Sequence, residues 1–238
     1  MNKISLKNIK NKKISIIGYG ISGISATRLA LYLGAKVFIS EKGLINENDK
    51  LNKNISFEEG RHSPKCYNCD FAIISPGINT NDIFFKEFKK RNIPIISEIE
   101  FASWFTKSTI IAITGSNGKS TTVSLLHSIL KEYKKTYLGG NIGIPFSSNV
   151  LKEIKNKIKD SIHILELSSF QLEHIHHFKP KIACILNLSN DHLDRYSKVE
   201  DYYNAKKNIF KNIDQNSYFI YNANNKSLYA NNIINRIK

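Results

Sequence analysis

The sequence predicts an α/β protein made of two consecutive parallel-sheet domains, and three observations support this. Short apolar runs alternate with segments whose apolar residues recur at helical spacing, a pattern typical of parallel sheets covered by helices. An apolar run passes directly into a glycine turn at two separate places, near Gly18 and near Gly115, so the pattern starts twice. The chain has 238 residues, 41% of them apolar, which is enough for one large core or two small ones.

The first domain follows this alternation from residue 13. A strand is expected over 13–17, and a helix over 21–33 because its apolar residues lie on one face up to Gly34, a typical helix end. Beyond this helix the expected elements are a strand over 36–39, a strand over 71–74, a helix over 82–91 and a strand over 93–96.

The second domain follows a helical segment expected over 97–107. An apolar strand over 109–113 enters the second glycine turn, and four apolar residues from Val123 to Leu130 give the next helix, over 120–133, one apolar face. The later expected elements are strands near 135–138, 162–165 and 181–186, a helix over 199–212 and a strand over 218–221.

The charge of the chain narrows the classes of partner. Lys and Arg number 35 against 20 Asp and Glu, a formal net charge of +15. The lysines are spread through every segment, whereas a nucleic-acid-binding face would gather them. We therefore expect no nucleic-acid partner.

Two observations bear on the cellular location. The apolar run after the basic start stops at Gly18, too early for a signal-peptide core. No other run approaches the ~18 apolar residues that a membrane span needs. We therefore expect a cytoplasmic protein that does not bind membranes. As a separate expectation, the protein is a monomer.

The three cysteines do not form a disulfide framework by number or spacing. Cys66 and Cys69 form a C-x-x-C pair with His62 upstream, a pattern also found in zinc and redox sites. No second ligand pair has metal spacing, and no thioredoxin-like pattern surrounds the pair. We interpret all three, including Cys184, as reduced residues without a metal or redox role.

The first glycine turn, residues 18–23, has the sequence GYGISG and matches G-x-G-x-x-G between a strand and a helix. Amides at such a helix start point toward an anion, and glycine lets a pyrophosphate approach the backbone. Glu41 lies close to the position of the ribose-binding acid in dinucleotide enzymes. Alone, this turn predicts a Rossmann-like domain that binds NAD; the alternative is a tight turn that needs small residues.

The second glycine turn predicts a phosphate-binding loop. Lys119 would reach the β- and γ-phosphates of a nucleoside triphosphate, and the Ser120 hydroxyl would bind Mg²⁺. Ile113 replaces the first glycine of the full pattern, but the context of strand, loop and helix is intact. The candidate ATP-binding residues are Gly115, Ser116, Asn117, Gly118, Lys119, Ser120 and Thr121.

Several strings together resemble the Mur ligases, over about residues 13–222. They are AITGSNGKSTT at 112–122, GGNIGIP at 139–145, ELSSFQLE at 166–173, NDHLDRY at 190–196 and AKKNIF at 205–210. The string ELSSFQLE, with GNIG and GYGISG, is similar to the branch of the family that joins D-glutamate to UDP-N-acetylmuramoyl-L-alanine.

The resemblance implies a Rossmann-like domain over 1–97 for the UDP end of the substrate, followed by a truncated P-loop ATPase-type α/β domain over 98–238. The family also has a carboxy-terminal domain that brings D-glutamate. We expect this third domain to be absent, so that the chain is a fragment, a truncated gene product or one piece of a split enzyme that is inactive alone.

The resemblance also implies where the substrate binds. In the first domain, the residues expected to contact uracil and diphosphate are Gly20, Ile21, Ser22, Gly23, Ser40, Glu41, Lys42, Ser75, Pro76, Gly77 and Ile78. In the second domain, Asn141, Ser168 and Gln171 are expected to contact the substrate or phosphates.

The reaction implied by the resemblance transfers the γ-phosphoryl group of ATP to the substrate carboxylate, and the amine of D-glutamate then displaces the phosphate. Because this joins two anions, the site needs cations. Lys119 supplies one, and two Mg²⁺ ions supply the others. By resemblance, Glu166 binds the first ion together with Ser120, and His192 holds the second.

Lys206 matches the lysine that this family carbamylates. Carbamylation needs a neutral amine and converts a cation into a carboxylate that can support Mg²⁺. The adjacent Lys207 is the alternative for this role.

Four functional hypotheses remain open on the sequence alone. The first is the D-glutamate ligase fragment, and the second is another Mur-type amino-acid ligase. The third is an NAD-dependent oxidoreductase, supported by the first glycine turn and Glu41. The fourth is a nucleotide-binding remnant without catalytic activity.

Overall fold

The computed structural model describes residues 8–45, 54–80, 82–189, 196 and 198–224. Within these ranges the strands form two five-stranded sheets, and every strand pairing is parallel. The predicted fold class, two consecutive parallel-sheet α/β domains, is confirmed. The residue boundaries predicted for the domains, 1–97 and 98–238, stay a prediction.

The first sheet has the strand order β3-β2-β1-β4-β5. Its strands are β1 Lys13–Ile17, β2 Lys36–Ser40, β3 Ile55–Glu58, β4 Phe71–Ile74 and β5 Ile95–Ser97. Helix α1, Ile21–Tyr32, contributes Ala26 and Leu29 to the core on one face of the sheet. Helix α2, Ile83–Lys90, covers the other face with Phe85 and Phe88.

The second sheet has the order β10-β9-β6-β8-β7. Its strands are β6 Thr109–Thr114, β7 Thr136–Gly140, β8 Ile162–Glu166, β9 Ile182–Ile185 and β10 Tyr218–Tyr221. Its helices are α4 Lys119–Leu130, α5 Phe146–Lys155, α6 Ser169–Glu173 and α7 Val199–Lys207. Helix α4 packs Val123 on one face of the sheet, and α5 packs Phe146 on the other.

A short helix, α3 Glu98–Ser103, joins the two sheets. Its residues Ile99 and Phe101 belong to the same buried cluster as core residues of both sheets. Helix α1 of the first sheet also packs against α5 of the second, where the hydroxyl oxygens of Ser25 and Ser148 lie 2.7 Å apart. The two sheets therefore share one continuous apolar core.

Two buried glutamates of α3 accept hydrogen bonds from segments that flank the second sheet. Glu100 accepts the backbone N–H groups of His176, His177 and Phe178, the last at 2.7 Å. Glu98 accepts the backbone N–H of Ser147, in the first turn of α5. Both contacts join residues far apart in the sequence, so they fix how the two sheets lie against each other.

Three of these elements are missing from the predictions made from the sequence. Strand β3 has two exposed residues among its four, so it lacks the apolar run of a buried strand. Helix α5 begins with Phe-Ser-Ser-Asn, which contains polar residues typical of turns, although its apolar residues Phe146, Val150 and Ile154 recur at helical spacing. Helix α6 has five residues, too few for a period to appear. The helix predicted over 199–212 ends at Lys207 and continues as a 3₁₀ turn, Asn208–Phe210.

None of the helices in the described part of the chain combines the length and the apolar character needed to cross a bilayer.

Replacement of Glu98 by glutamine should stabilise the protein more as the pH rises. Burial raises the pKa of Glu98 from 4.5 to about 7, so the folded state binds more protons between these values and its stability falls as the pH passes through them. Glutamine still accepts the Ser147 N–H but carries no charge. The advantage of Glu98→Gln should grow by on the order of 2–4 kcal/mol between about pH 5 and pH 8, measured by urea unfolding. If the stability gained by Glu98→Gln did not change with pH, it would contradict the raised pKa of Glu98.

Candidate functional site

The second glycine turn joins the carboxyl end of β6 to α4. Gly118 has φ +80° and immediately precedes the helix, and Gly115 has φ +156°. Residues other than glycine rarely adopt a φ like that of Gly118. The glycines therefore let the loop turn sharply, so that the amino end of α4 faces the edge where parallel sheets bind ligands.

Lys119 folds back over this loop. Its Nζ donates to the carbonyl oxygens of Gly115 and Ser116, both at 2.9 Å. The ammonium group is thus held at the mouth of the loop by weak neutral acceptors. A phosphate anion would offer it a stronger, charge-assisted partner at the same place.

Glu166 is the last residue of β8 and is only 1% exposed. One carboxylate oxygen accepts the Ser120 hydroxyl at 2.7 Å, and the other accepts the side-chain N–H of Asn141 at 2.9 Å. The Glu166 backbone carbonyl also accepts the N–H of Asn141. The structure therefore brings together three predicted site residues that are up to 46 positions apart in the sequence.

Gly140 makes this close approach possible. It has φ +99°, and a Cβ atom there would lie 2.2 Å from the Glu166 carbonyl oxygen. Any other residue would push the loop over 139–145 away from β8, and Asn141 with it.

Lys206 lies on α7 and is 2% exposed. Its Nζ donates to the Gly115 carbonyl oxygen at 2.8 Å and sits 4.7 Å from the centroid of the Tyr202 ring. The alternative residue, Lys207, is partly exposed. Lys206 therefore contacts the same carbonyl oxygen as Lys119.

Other residues that support the loop were not expected from the sequence. Ser116 Oγ donates to the Ser189 carbonyl at 2.9 Å and lies 3.2 Å from the buried Tyr202 hydroxyl. The Asn187 side chain accepts the N–H of Asn117 and donates to its carbonyl. The sequence did contain patterns that could have indicated these contacts. Tyr202 lies one helical turn before Lys206, and Asn187 and Ser189 follow a strand end.

Ser168 and Gln171 form a capping box at the start of α6. The Gln171 side chain accepts the Ser168 N–H at 3.0 Å, and the Ser168 hydroxyl accepts the Gln171 N–H at 3.3 Å. Such a pair stabilises the first turn of a helix. Both residues follow β8 closely, so their side chains lie one short turn away from Glu166.

In the first sheet, the loops after β1, β2 and β4 meet. Ser75 Oγ donates to the Gly18 carbonyl at 2.9 Å. Glu41 accepts the backbone N–H groups of Tyr19 and Gly43. Burial tends to raise the pKa of Glu41, but these backbone hydrogen bonds and that of Lys42 lower it on balance, so the carboxylate is charged.

A cavity of about 580 Å³ opens at this edge, a size typical of small-molecule sites. Its walls combine predicted and unexpected residues, and they are Lys42, His62, Gly77, Ile78, Asn79, Asp82 and Phe85. Gly20, Ile21 and Ser22 lie at the start of α1, with Gly23 against the Gly18 carbonyl, while Pro76 follows β4.

The three cysteines are free thiols at buried or half-buried positions. Cys66 is fully buried, and burial raises the pKa of its thiol to about 12. His176 and His177 bind the Glu100 carboxylate through their backbone N–H groups, and Nδ1 of His177 lies 3.2 Å from the same carboxylate. Among the described residues, no group of three or more His, Cys, Asp or Glu has the arrangement of a metal site. His192 lies outside the described residues.

Comparisons with known proteins find one family across both sheets. The family model of the Mur ligase middle domain matches residues 113–238, and that of the MurD N-terminal domain matches residues 13–82.

Curated relatives are similar over most of this chain. A Pelodictyon phaeoclathratiforme protein named UDP-N-acetylmuramoylalanine--D-glutamate ligase is 42% identical over 230 residues, covering 93% of this chain and 49% of the relative. A Thermosipho africanus protein of the same name is 38% identical, covering 92% and 53%. The chain spans about half the length of the curated relatives it matches.

Solved structures share the fold. The UDP-N-acetylmuramate:L-alanyl-gamma-D-glutamyl-meso-diaminopimelate ligase from Neisseria meningitides is 16% identical, with a TM-score of 0.59 over 96% of this chain and 77% of that chain. A murein peptide ligase from Psychrobacter arcticus is 18% identical, with a TM-score of 0.53 over 94% and 51%.

Replacement of Gly140 by alanine should destabilise the protein by about 2–4 kcal/mol, because it adds both backbone strain and a clash with β8. Urea unfolding measures the effect. The matched control is Gly77→Ala, since no atom lies within 4 Å of a Cβ there and its φ is not in the left-handed region. Equal unfolding midpoints for the two variants would show that the loop does not depend on the close approach at Gly140.

Proposed function

The chain belongs to the Mur ligase family, and from this we propose that it supplies the UDP-substrate-binding and ATP-binding parts of a ligase that joins D-glutamate to UDP-N-acetylmuramoyl-L-alanine. One observation carries the proposal. Glu166 from β8 and Lys206 from α7 both converge on the glycine turn that holds Lys119 and Ser120. Curated relatives that carry this ligase name over the aligned residues give it further support.

ATP would bind with its phosphates on the amino end of α4. The left-handed Gly118 lets α4 begin directly after the loop, so amides of the first helical turn would face the phosphates, and Lys119 would exchange its carbonyl partners for phosphate oxygens. In this role Lys119 neutralises the anionic phosphoryl group as it approaches the substrate carboxylate. The chain thus supplies positioning and charge.

The residues around Glu166 fit a magnesium ion. A carboxylate and a hydroxyl oxygen, the ligand types that Mg²⁺ prefers, lie side by side in Glu166 and Ser120. A bound ion would neutralise charge on the phosphates. Asn141 would keep the Glu166 carboxylate oriented toward Ser120 through the opposite oxygen. We assign the second ion to His192 by resemblance.

We infer that Lys206 is the carbamylated lysine. It is buried and contacts the phosphate loop, whereas Lys207 is partly exposed. The ammonium groups of Lys119 and Lys206 also share the Gly115 carbonyl oxygen. Two ammonium groups on one oxygen atom repel each other. Carbamylation of Lys206 would replace this repulsion with an attraction between opposite charges.

The geometry gives less support to an NAD-dependent oxidoreductase. Glu41, the candidate ribose-binding acid, accepts the N–H of Tyr19 within the glycine turn itself. That N–H is among the donors that a dinucleotide pyrophosphate would use. Glu41 therefore occupies a donor of the glycine turn, and its position no longer supports the NAD hypothesis.

Ligand titration of the 238-residue chain tests the proposal. We expect UDP-N-acetylmuramoyl-L-alanine and MgATP to bind at separate sites, each measured by calorimetry in the presence of the other. Lys119→Ala should weaken MgATP binding by at least about tenfold, because a charge-assisted contact is worth roughly 1.5–3 kcal/mol. The affinity for the UDP substrate should stay unchanged.

The matched control is Lys131→Ala, an exposed lysine just after α4, which should change neither affinity. Binding of NADH with no binding of the UDP substrate would favour the oxidoreductase. Stronger binding of UDP-N-acetylmuramate than of its L-alanine derivative would favour another branch of the family. Absence of MgATP binding would favour the remnant.

Carbon-13 NMR with labelled bicarbonate tests the lysine assignment. Wild-type protein should show one carbamate resonance, since only a neutral, shielded amine keeps the adduct. The resonance should persist in Lys207→Ala and disappear in Lys206→Ala. A resonance that disappears only in Lys207→Ala would move the assignment to that residue.

A further inference from the structure

The imidazole of His62 lines the cavity at the first sheet. We propose that His62 is a specificity-determining residue that accepts the N3–H of the uracil base and thereby selects uridine over cytidine nucleotides. The proposal rests on the proposed function, which places the UDP end of the substrate at this sheet. It deepens that function by naming the residue that reads the base.

His62 is held in a fixed position. It follows β3 at the carboxyl edge of the sheet, where its Nδ1 lies 2.7 Å from Ser40 Oγ. Its ring stacks on Phe84 with centroids 5.6 Å apart. One ring nitrogen is therefore used within the protein, and the ring plane is set by an aromatic neighbour.

The partner of Ser40 decides which ring nitrogen carries the proton. Ser40 Oγ lies 2.7 Å from the Glu58 carboxylate. Burial tends to raise the pKa of Glu58, but hydrogen bonds from Ser63, Ser40 and Cys66 lower it on balance, so Glu58 is an anion that can only accept. Ser40 therefore gives its single proton to Glu58 and accepts from Nδ1–H of His62.

A neutral imidazole with its proton on Nδ1 has a lone pair on Nε2. Burial lowers the pKa of His62, and Lys42 lowers it further, while Glu41, Glu58 and Asp82 oppose this. Neutral imidazole is therefore the prevailing form at neutral pH. Among the described residues, Nδ1 of His62 bonds Ser40 whereas Nε2 has no hydrogen-bond partner, and the ring lines the cavity. Nε2 can therefore accept from a ligand in the cavity.

The cavity matches the hydrogen-bonding edge of uracil. Uracil presents the N3–H donor between two carbonyl acceptors, which suits an Nε2 acceptor beside the Lys42 ammonium donor. Phe85 adds an apolar wall. Cytosine presents an acceptor at N3 and an amino donor beside it, so its N3 would face the lone pair of Nε2 and leave both unpaired.

The test compares binding of UDP and CDP to the 238-residue chain by calorimetry. We expect wild-type protein to prefer UDP by at least about tenfold, since an unpaired buried polar pair costs roughly that much or more. His62→Asn keeps a polar group at the δ position for Ser40 but has no acceptor at the ε position. It should reduce the preference to within about threefold, a loss that general weakening of the pocket would not produce.

His62→Gln is the matched variant, because its side-chain oxygen can reach the ε position. It should retain a preference for UDP. In wild-type protein the ratio of UDP to CDP affinity should fall as the pH drops from about 8 to about 5, since protonation turns Nε2 into a donor. In His62→Gln the ratio should not change with pH.

The outcomes separate the two levels of the argument. If wild-type protein binds UDP and His62→Asn keeps the full preference, the role of His62 is wrong while the proposed function stands. If wild-type protein binds UDP and CDP equally, the role is also wrong. If it binds neither nucleotide, the proposed function fails and the inference fails with it.

Discussion

A buried carboxylate held mainly by backbone N–H groups determines how the two halves of this protein meet. Glu100 is fully buried, and an ionised carboxylate in that position is tolerated only when hydrogen bonds replace its water. The backbone N–H groups of the 176–178 turn supply them, with the Trp104 side chain. The turn and the junction helix are therefore bound together, and α1 can pack on α5 over a shared core. The two glycine turns are fixed relative to each other as a consequence.

The same principle operates at the edge of the second sheet, on a smaller scale. Glu166 is buried at a strand end, and its two oxygens bind one side chain from the first turn of α4 and one from the loop after β7. Because parallel strands end at one edge, the sheet brings these loops together without long connections. The carboxylate thus ties these two segments together, and Gly140 supplies the space that this requires.

The sequence predicts what depends on local pattern. Strands β1, β4 and β10 have the predicted bounds, and the two glycine turns lie where the strand and helix signals place them. Helix α5 was not predicted, because polar residues at its start obscure the apolar spacing of the rest, and its packing on α1 lies outside any local pattern. In the candidate site, the loop lysine and its serine follow from a motif. Two other contacts could not be predicted in this way: the pairing of Ser40 with His62, and the position of Tyr202 under the loop. Both join distant segments of the chain, and local periodicity carries no information about such contacts.

The two glycine turns show how similar backbone shapes acquire different chemistry. In the first, an acid of the same chain, Glu41, takes the Tyr19 N–H, so the charge at the turn is already balanced. In the second, two lysines donate to one carbonyl oxygen of Gly115, at 2.9 and 2.8 Å, which places their ammonium groups within about 6 Å of each other. At that separation, like charges near a protein surface repel by about 3 kcal/mol. An anion at the loop relieves this repulsion, as does a negative charge on one of the lysines. The two lysines therefore give the second turn an electrostatic reason to bind phosphate.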